Sequence, residues 1–399
     1  MNSANPSSPI KTALIGVSGY AAVHLRVLLS LQEEGRIQLT AATVINREDE
    51  VETCEKLETM GCRIYGDYEE MLRAEAGNIN LCCIPTAIAW HTPMTIAALK
   101  AGCHVLVEKP AAGTTAEVDA MMAAQKESGR LVFVGFQDLF LGTVQSVKKS
   151  LVHGEIGEIQ SIRVSASWPR PPSYYERNNW AGRIRCGDQL VYDSPANNAL
   201  AHYLIAALYF AGESPNQVAH AVSVEAELYR AMSIESFDTM CARIQTNTDI
   251  LLTYSVSHRA LESFDPILEI IGSKETLRWD VQQGFRYVNS GQKILCPNDD
   301  STRREMFLNV LDSIVSGNNR GCSLEMARAH TQLIESLHQN CPITDVAPEY
   351  IHPHTQYDEA SSHVKDMELW LRKSHESGKL FSDLGAPWAV KATKFSNSL

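Results

Sequence analysis

From Thr12 onward, short apolar runs alternate with longer stretches in which apolar residues recur every three or four positions. That alternation is the pattern of parallel strands joined by helices. Residues 12–17 are predicted as the first strand, 20–34 as a helix with Leu25, Leu28 and Leu29 on one face, and Gly35 as its stop. The rhythm continues through strand 37–45, helix 51–60, strand 63–65, strand 79–84, helix 92–100, strand 103–107, helix 114–128 and strand 131–135. These account for a doubly wound parallel sheet of six strands.

After Gly135 the pattern changes. A helix at 143–152 leads through the turn Gly154-Glu155-Ile156-Gly157 into a strand at 158–168. Long strands at 218–229, 239–246, 250–257 and 267–271 then follow with few helices between them, as in an antiparallel sheet. Helices return at 304–316 and 324–339, and no internal repeat is present. The apolar stretch 199–211 holds His202 and is too short to span a bilayer, so it is predicted as a buried helix. The expected organisation is a disordered tail at 1–9, a first domain at 10–140 and an α/β second domain at 141–399 with a large, mostly antiparallel open sheet. Separating the strand at 158–168 from the long helix at 199–211, residues 169–188 are rich in Pro, Arg, Asn, Tyr and Gly, which suits either a substrate-gripping loop at the domain junction or an ordinary surface loop.

Composition narrows the function classes. A chain of 399 residues with 44% hydrophobic and 21% charged residues is expected to form two globular domains without a membrane role. The net charge of −12, with Lys and Arg scattered, excludes nucleic acid as the main partner and leaves room for a local basic site for a small anion. The first nine residues lack the basic start and apolar core of a secretion signal. Ten cysteines without Cys-x-x-Cys spacing read as reduced thiols, which points to the cytoplasm.

The chemistry begins at the turn after the first strand. A pyrophosphate needs close backbone approach and N–H groups at a helix start, and Gly16, Ser18, Gly19 and Tyr20 occupy that turn. The Gly-x-Gly-x-x-Gly pattern is broken, with Ser18 in the second glycine's place and Ala21 in the third's. Its position opening the first strand-helix unit nevertheless identifies a Rossmann-type dinucleotide-binding domain. At the end of the second strand, where an acidic residue normally accepts the ribose hydroxyls of NAD, the chain has Asn46-Arg47. An arginine there can pair with a 2′-phosphate, so NADP is favoured and NAD remains possible; the other reading makes Arg47 a solvated loop residue. Ile84-Pro85-Thr86 with His91, and Glu108-Lys109-Pro110, close two further parallel strands at their carboxyl ends, where ligands bind in this architecture. A lysine there can orient and polarise a substrate hydroxyl.

These segments resemble the Gfo/Idh/MocA oxidoreductases, named for glucose-fructose oxidoreductase and inositol dehydrogenase. The matching residues are Ile15-Gly16 through His24, Pro85 with His91, Ala97-Ala98-Leu99-Lys100-Ala101-Gly102, His104 to Pro110, Val134-Gly135-Phe136 and Gly154-Glu155-Ile156-Gly157. The resemblance implies hydride transfer between a nicotinamide cofactor and a sugar, cyclitol or similar polyol. It also implies a homodimer or homotetramer formed through the open face of the second sheet. Relatives often carry Asp-x-Gly-x-His-x-x-Asp at the start of the long second-domain helix. Here His202 takes the histidine position, Asn198 the first Asp, Leu200 the Gly and Ile205 the final Asp. His202 is thus the candidate acid/base, or else a core histidine, and Asp193, Asn197 and Asn198 are candidates for substrate contact. The relatives' Asn-x-Arg-Phe is replaced by Gln137-Asp138-Leu139-Phe140. Trp180 and Arg183 resemble a segment that reaches over the cofactor in relatives, although a loop Trp also serves packing. Tyr174, Tyr175 and His258 are further substrate candidates. His352 and His354 have metal-like spacing without a third ligand, so no metal is expected.

Three other functions share parts of this pattern. A redox-elimination enzyme would transiently oxidise a sugar on bound NAD and cleave a glycosidic substituent. A non-catalytic dinucleotide-binding protein would account for the altered His202 motif, but not for the retained Glu108-Lys109-Pro110. A semialdehyde dehydrogenase would need an activated cysteine, and neither Cys186 nor Cys241 has a motif around it.

Overall fold

The computed structural model describes residues 8–280, 283–296 and 299–397; the expected tail lies outside them as far as residue 7. The chain divides into two compact units, one comprising the residues up to Phe140 together with Asp299–Arg328, the other Leu141–Asn298 with Ala329–Leu399.

In the first unit, strands β1 (Ile10–Ile15), β2 (Ile37–Thr43), β3 (Arg63–Tyr65), β4 (Leu81–Ile84), β5 (His104–Val107) and β6 (Val132–Val134) form one sheet in the order β3-β2-β1-β4-β5-β6. Every pairing is parallel. This is the Rossmann order, and its reversal point lies between β1 and β4. All but the edge strand β3 are largely buried, because helices α1 (Ala21–Glu33), α2 (Val51–Thr59), α3 (Tyr68–Ala74), α4 (Ile88–Lys100) and α5 (Thr115–Ser128) connect the strands and cover the sheet. Local chemistry sets the helix ends: Thr114 and Glu117 form a reciprocal capping box at the start of α5, and Gly129 ends it with φ 65°. Helix α3 has no counterpart in the hydrophobic pattern. It spans 7 residues, starts at an Asp67 cap accepting the Glu70 N–H, and is too short to show a period.

The second expected boundary needs correction, because Asp299–Arg328 joins the first unit rather than the second. The helix Asp299–Ser316 buries Met306, Phe307, Val310 and Leu311, and sets Phe307 edge-on to His24 at 5.2 Å between ring centroids. Arg304 pairs with Glu34, and Arg36 with Asp312. Past the helix, Cys322 O accepts the Val134 N–H at 3.0 Å, which satisfies a backbone group at the β6 edge.

The second unit holds a sheet of 10 strands among the described residues. Its central strands are Phe264–Gly272, Ile159–Ser167, Leu251–Ser257, Thr239–Thr246 and Ala221–Arg230, in that order. Most pairings are antiparallel, but Ile159–Ser167 runs parallel to Leu251–Ser257, and Ile343–Asp345 parallel to Ala221–Arg230. One face carries the helix Ala201–Ala211, buried nearly all round, with Tyr203 and Phe210 packed on Trp279.

The opposite face was expected to be open, and it is not. In register across the central strands it presents Glu269, Arg163, Ser165, Thr253, Ser255, Cys241 and Arg243. The chain's own helix Met367–Ser377 lies there: Leu371 O accepts the Ser165 hydroxyl, Cys241 meets the Ser374 hydroxyl, and His375 lies 3.2 Å from Glu269. A core of Tyr229, Val364, Met367, Leu371, Phe381 and Trp388 closes over it. A small, polar sheet face offers hydrogen bonds to a helix backbone, and the C-terminal segment uses them. Among the described residues, no helix is long and apolar enough to cross a membrane, and all ten cysteines are free thiols.

Candidate active site

The turn between β1 and α1 is shaped by Gly16 at φ 92° and Gly19 at φ 58°, conformations that other residues adopt at a cost. A side chain at Gly16 would stand 3.5 Å from the Ala21 Cβ, whereas at Gly19 there is open space. Ser18, Gly19 and Tyr20 are exposed, and no side chain caps the start of α1. The turn therefore leaves room for a phosphate against backbone N–H groups at the positive end of a helix, which fits a dinucleotide. At the end of β2, Asn46 is half-buried and Arg47 exposed. Arg47 Nη2 lies 2.7 Å from Glu58 Oε1, so its guanidinium already has one carboxylate partner.

At the carboxyl end of β5, Glu108 is buried with its carboxylate held on both oxygens. Oε1 lies 2.9 Å from His24 Nε2, and Oε2 accepts the Lys109 N–H at 3.0 Å. Burial pushes the Glu108 carboxyl up, but His24 and Lys109 outweigh it and hold the group below its ordinary value. Gly135 completes the arrangement, since a Cβ there would stand 2.8 Å from Glu108 Oε1. Lys109 follows directly, half-buried, and its bond to Pro110 is cis. His91, in the first turn of α4, faces Pro110 O at 2.8 Å and Thr86 O at 3.0 Å with its two ring nitrogens. Burial lowers the ring's pKa, although the two carbonyls pull it upward; a neutral ring donates to only one of them, so His91 sits between the loops after β4 and β5 and holds one of them by a hydrogen bond. Of the residues expected at the cofactor, Ile84, Pro85, His91 and Glu108 have buried side chains, while Thr86 and Lys109 are half-buried at the strand ends.

In the second unit, His202 is half-buried in the first turn of Ala201–Ala211. The far end of that helix is held by the buried Lys148, which donates to Gly212 O and which burial lowers to about 7. The residues before His202 are largely braces. Asp193 accepts the Gly182 N–H at 2.6 Å and the Asn198 amide at 2.8 Å. The Asn197 amide donates to Val191 O and Tyr192 O, which leaves its buried Oδ1 without a partner among the described residues. Arg183 pairs with Glu235 at 3.3 Å, and Trp180 lies 5.2 Å from the Arg177 guanidinium.

Tyr174, Tyr175 and His258 do come together. Tyr175 Oη lies 3.0 Å from His258 Nδ1, and the Tyr174 ring meets both neighbours edge-on. His258 is buried and its Nε2 has no partner among the described residues. Burial, then Arg170, Arg259 and Arg177, hold its pKa well below 6.5, so it is neutral. Behind it, Arg259 is buried and donates to Arg170 O and Ser362 Oγ; Asp238 offsets its charge while accepting the Ala231 and Met232 N–H groups. Asp238, Arg259, Arg170, Arg177 and Gly135 were not singled out as site residues from sequence. Their signal is contact across distant segments, which no local spacing carries. His352, His354 and His363 share one face of the hairpin Ile351–Gln356/Glu359–Val364. Among the described residues, no cluster of three His, Cys, Asp or Glu is placed to hold a metal.

Comparison with known proteins agrees with this geometry. A model described as "Oxidoreductase family, NAD-binding Rossmann fold" matches residues 10–136, and one described as "GFO/IDH/MocA C-terminal domain" matches residues 144–278. A myo-inositol 2-dehydrogenase of Thermotoga maritima is 25% identical over 268 residues, 66% of this chain and 73% of that protein. A D-glucoside 3-dehydrogenase of Escherichia coli is 28% identical over 160 residues, 40% of this chain and 44% of that protein. In fold, the WlbA dehydrogenase of Bordetella pertussis, solved with NADH and UDP-GlcNAcA, superposes with a TM-score of 0.67 at 22% identity, covering 83% of this chain and 96% of that one. With two family models spanning most of its two units, the chain belongs to the GFO/IDH/MocA family of NAD-binding Rossmann-fold oxidoreductases.

Proposed function

We propose that this chain is a dehydrogenase or reductase that exchanges a hydride between a nicotinamide dinucleotide and a sugar- or cyclitol-like secondary alcohol or its ketone. The observation that carries the reading is the Glu108 carboxylate, locked by His24 and the Lys109 N–H so that Lys109 is presented at the end of β5. The dinucleotide, held at Gly16, Ser18, Gly19 and Tyr20, supplies the hydride acceptor or donor. Lys109 donates a hydrogen bond to the substrate oxygen and stabilises the negative charge that grows there. His202 takes the hydroxyl proton in oxidation and returns it in reduction, while Asn198, Tyr174 and His258 contact the substrate and Trp180 and Arg183 the cofactor. The named relatives, which act on inositol and a glucoside, support this substrate class. NADP is favoured over NAD because Arg47 can turn from Glu58 to a 2′-phosphate; solvent screens that exposed pair, so re-partnering costs little. Ten free thiols support a reducing compartment such as the cytoplasm.

The test is to identify the dinucleotide that co-purifies and to screen polyols for its net reduction. Lys109→Ala should lower kcat by at least about 100-fold with dinucleotide affinity kept, in line with the loss of one charge-stabilising donor. His202→Asn should lower kcat and flatten the limb of the pH profile that the imidazole sets. Full turnover by Lys109→Ala overturns its role. Sugar cleavage without net cofactor reduction would replace the reading with redox elimination.

A further inference from the structure

Residues 168–185 carry four arginines, Arg170, Arg177, Arg183 and Arg185, in a chain whose net charge is −12. Two are engaged locally: Arg183 pairs with Glu235, and Arg185 donates to Asp188 O at 3.4 Å. The other two converge on one ring. The guanidinium carbon of Arg177 lies 3.7 Å from the Tyr174 centroid, and that of Arg170 lies 4.9 Å from it. Neither has a carboxylate within ion-pair distance among the described residues. Arg177 spends a donor on Tyr174 O, and the buried Nε of Arg170 has no acceptor.

The carboxylates close by are already committed. Asp193 acts electrostatically on Tyr174 but is held by the Gly182 N–H and the Asn198 amide. Glu359 accepts both the N–H and the hydroxyl of Ser173, tying the helix Pro172–Glu176 to the hairpin. Asp238 faces Arg259, a buried guanidinium behind His258. His258 adds no charge of its own, being neutral. Two guanidinium groups that share a ring without a counter-ion repel each other, and the ring faces offset only part of that cost. Each keeps unused planar donors of the geometry that matches carboxylate and phosphate oxygens. An anion that accepts from the unused donors of both would offset that repulsion.

We propose that Arg170 and Arg177, with Tyr174 between them, form an anion-recognition subsite, and that the substrate is a sugar or cyclitol bearing a carboxylate or a phosphate. This rests on the polyol-oxidoreductase reading and narrows its substrate. The Tyr174 ring holds the two guanidinium groups in place, and their unused donors hold the charged substituent.

The test is calorimetric titration of the full chain carrying its dinucleotide. The probes are D-glucuronate, D-galacturonate, D-glucose 6-phosphate and D-galactose 6-phosphate against neutral D-glucose and D-galactose. At least one anionic sugar should bind 10-fold or more tightly than its neutral parent, and the uronate and phosphate arms show which anion fits. Arg177→Gln should weaken that anion about 10- to 100-fold, the range for losing a charge-assisted hydrogen bond, with far less loss for the neutral parent and none for the dinucleotide. Arg177→Lys should recover only part of it, because an ammonium lacks the planar fork. Arg170→Gln repeats the test from the other side, and Arg177, being exposed, can be replaced without emptying a core. The subsite is overturned if no anionic sugar binds more tightly than its parent, or if Arg177→Gln weakens both alike. Anion binding that needs Arg177 without oxidation of any polyol would keep the subsite and refute the dehydrogenase reading. Turnover of neutral sugars with no preference for anions would do the reverse.

Discussion

Replacing Gly135 by alanine is a small change with a computable consequence. The new Cβ would stand 2.8 Å from Glu108 Oε1, 3.0 Å from Cδ and 3.2 Å from Oε2. Carbon needs about 3.5 Å to a non-bonded heavy atom, so the carboxylate must withdraw by roughly half an ångström. It has nowhere to go without loss, because His24 Nε2 at 2.9 Å and the Lys109 N–H at 3.0 Å hold it on both oxygens. Overpacking of this kind costs about 1–3 kcal/mol, read by calorimetry as a lower Tm of the first unit. Moving the Lys109 backbone displaces the ammonium as well, and misplacing a catalytic group by about 1 Å costs on the order of 100-fold in rate. Gly135→Ala should therefore lower kcat 10- to 100-fold with dinucleotide affinity nearly unchanged. Glu108→Asp, shorter by one methylene, should be defective alone yet partly rescue Gly135→Ala, so that the double variant loses less than the sum of the singles. Wild-type Tm and turnover in Gly135→Ala, or strictly additive losses in the double variant, would refute this account of how Lys109 is placed.

Glu58→Gln should lower the KM for NADP several-fold and leave that for NAD unchanged, because it frees Arg47; an unchanged KM for NADP would show that Arg47 does not read the 2′-phosphate. Glu75 is buried and bound by Arg63, Asn78 and Tyr65, and Arg63 above all lowers its pKa from 4.5 to about 2. A depressed carboxylate stabilises the fold above pH 4.5 and loses that contribution as pH falls toward 2. Lowering from 4.5 to about 2 corresponds to at most roughly 3 kcal/mol, and to about 1–2 kcal/mol once the half-exposed Arg63 is discounted for solvent screening. Glu75→Gln should lower Tm at pH 7 and converge with the wild type near pH 2, and equal losses at both pH values would refute the assignment. Leu371→Ala removes a fully buried side chain from the cluster over the second sheet and should cost about 2–5 kcal/mol; an unchanged Tm would mean that helix Met367–Ser377 does not cover that face.

The first unit was legible because its determinants are local. Strand β4 and most of β1 and β5 are buried and read as largely apolar runs, and the turn after β1 depends on the backbone freedom of Gly16 and Gly19. Glu108-Lys109-Pro110 was legible too, since its meaning follows from standing after β5. Tertiary structure decided the rest. Asp299–Arg328 joins the first unit because the β6 edge has a backbone N–H that Cys322 can satisfy, a match between segments far apart in sequence. Helix Met367–Ser377 covers a sheet face expected to be open because alternate residues of three strands present small polar groups to it. Asp193 and Asn197 are residue types that suit a ligand, yet their hydrogen bonds go to the loop that carries them. Arg170 and Arg177 look like ordinary loop arginines until the fold brings both to Tyr174, with neither in an ion pair among the described residues. Periodicity and turn chemistry are encoded over a few residues, and a sequence states them openly. Which carboxylate neutralises which cation depends on distances the chain acquires only on folding.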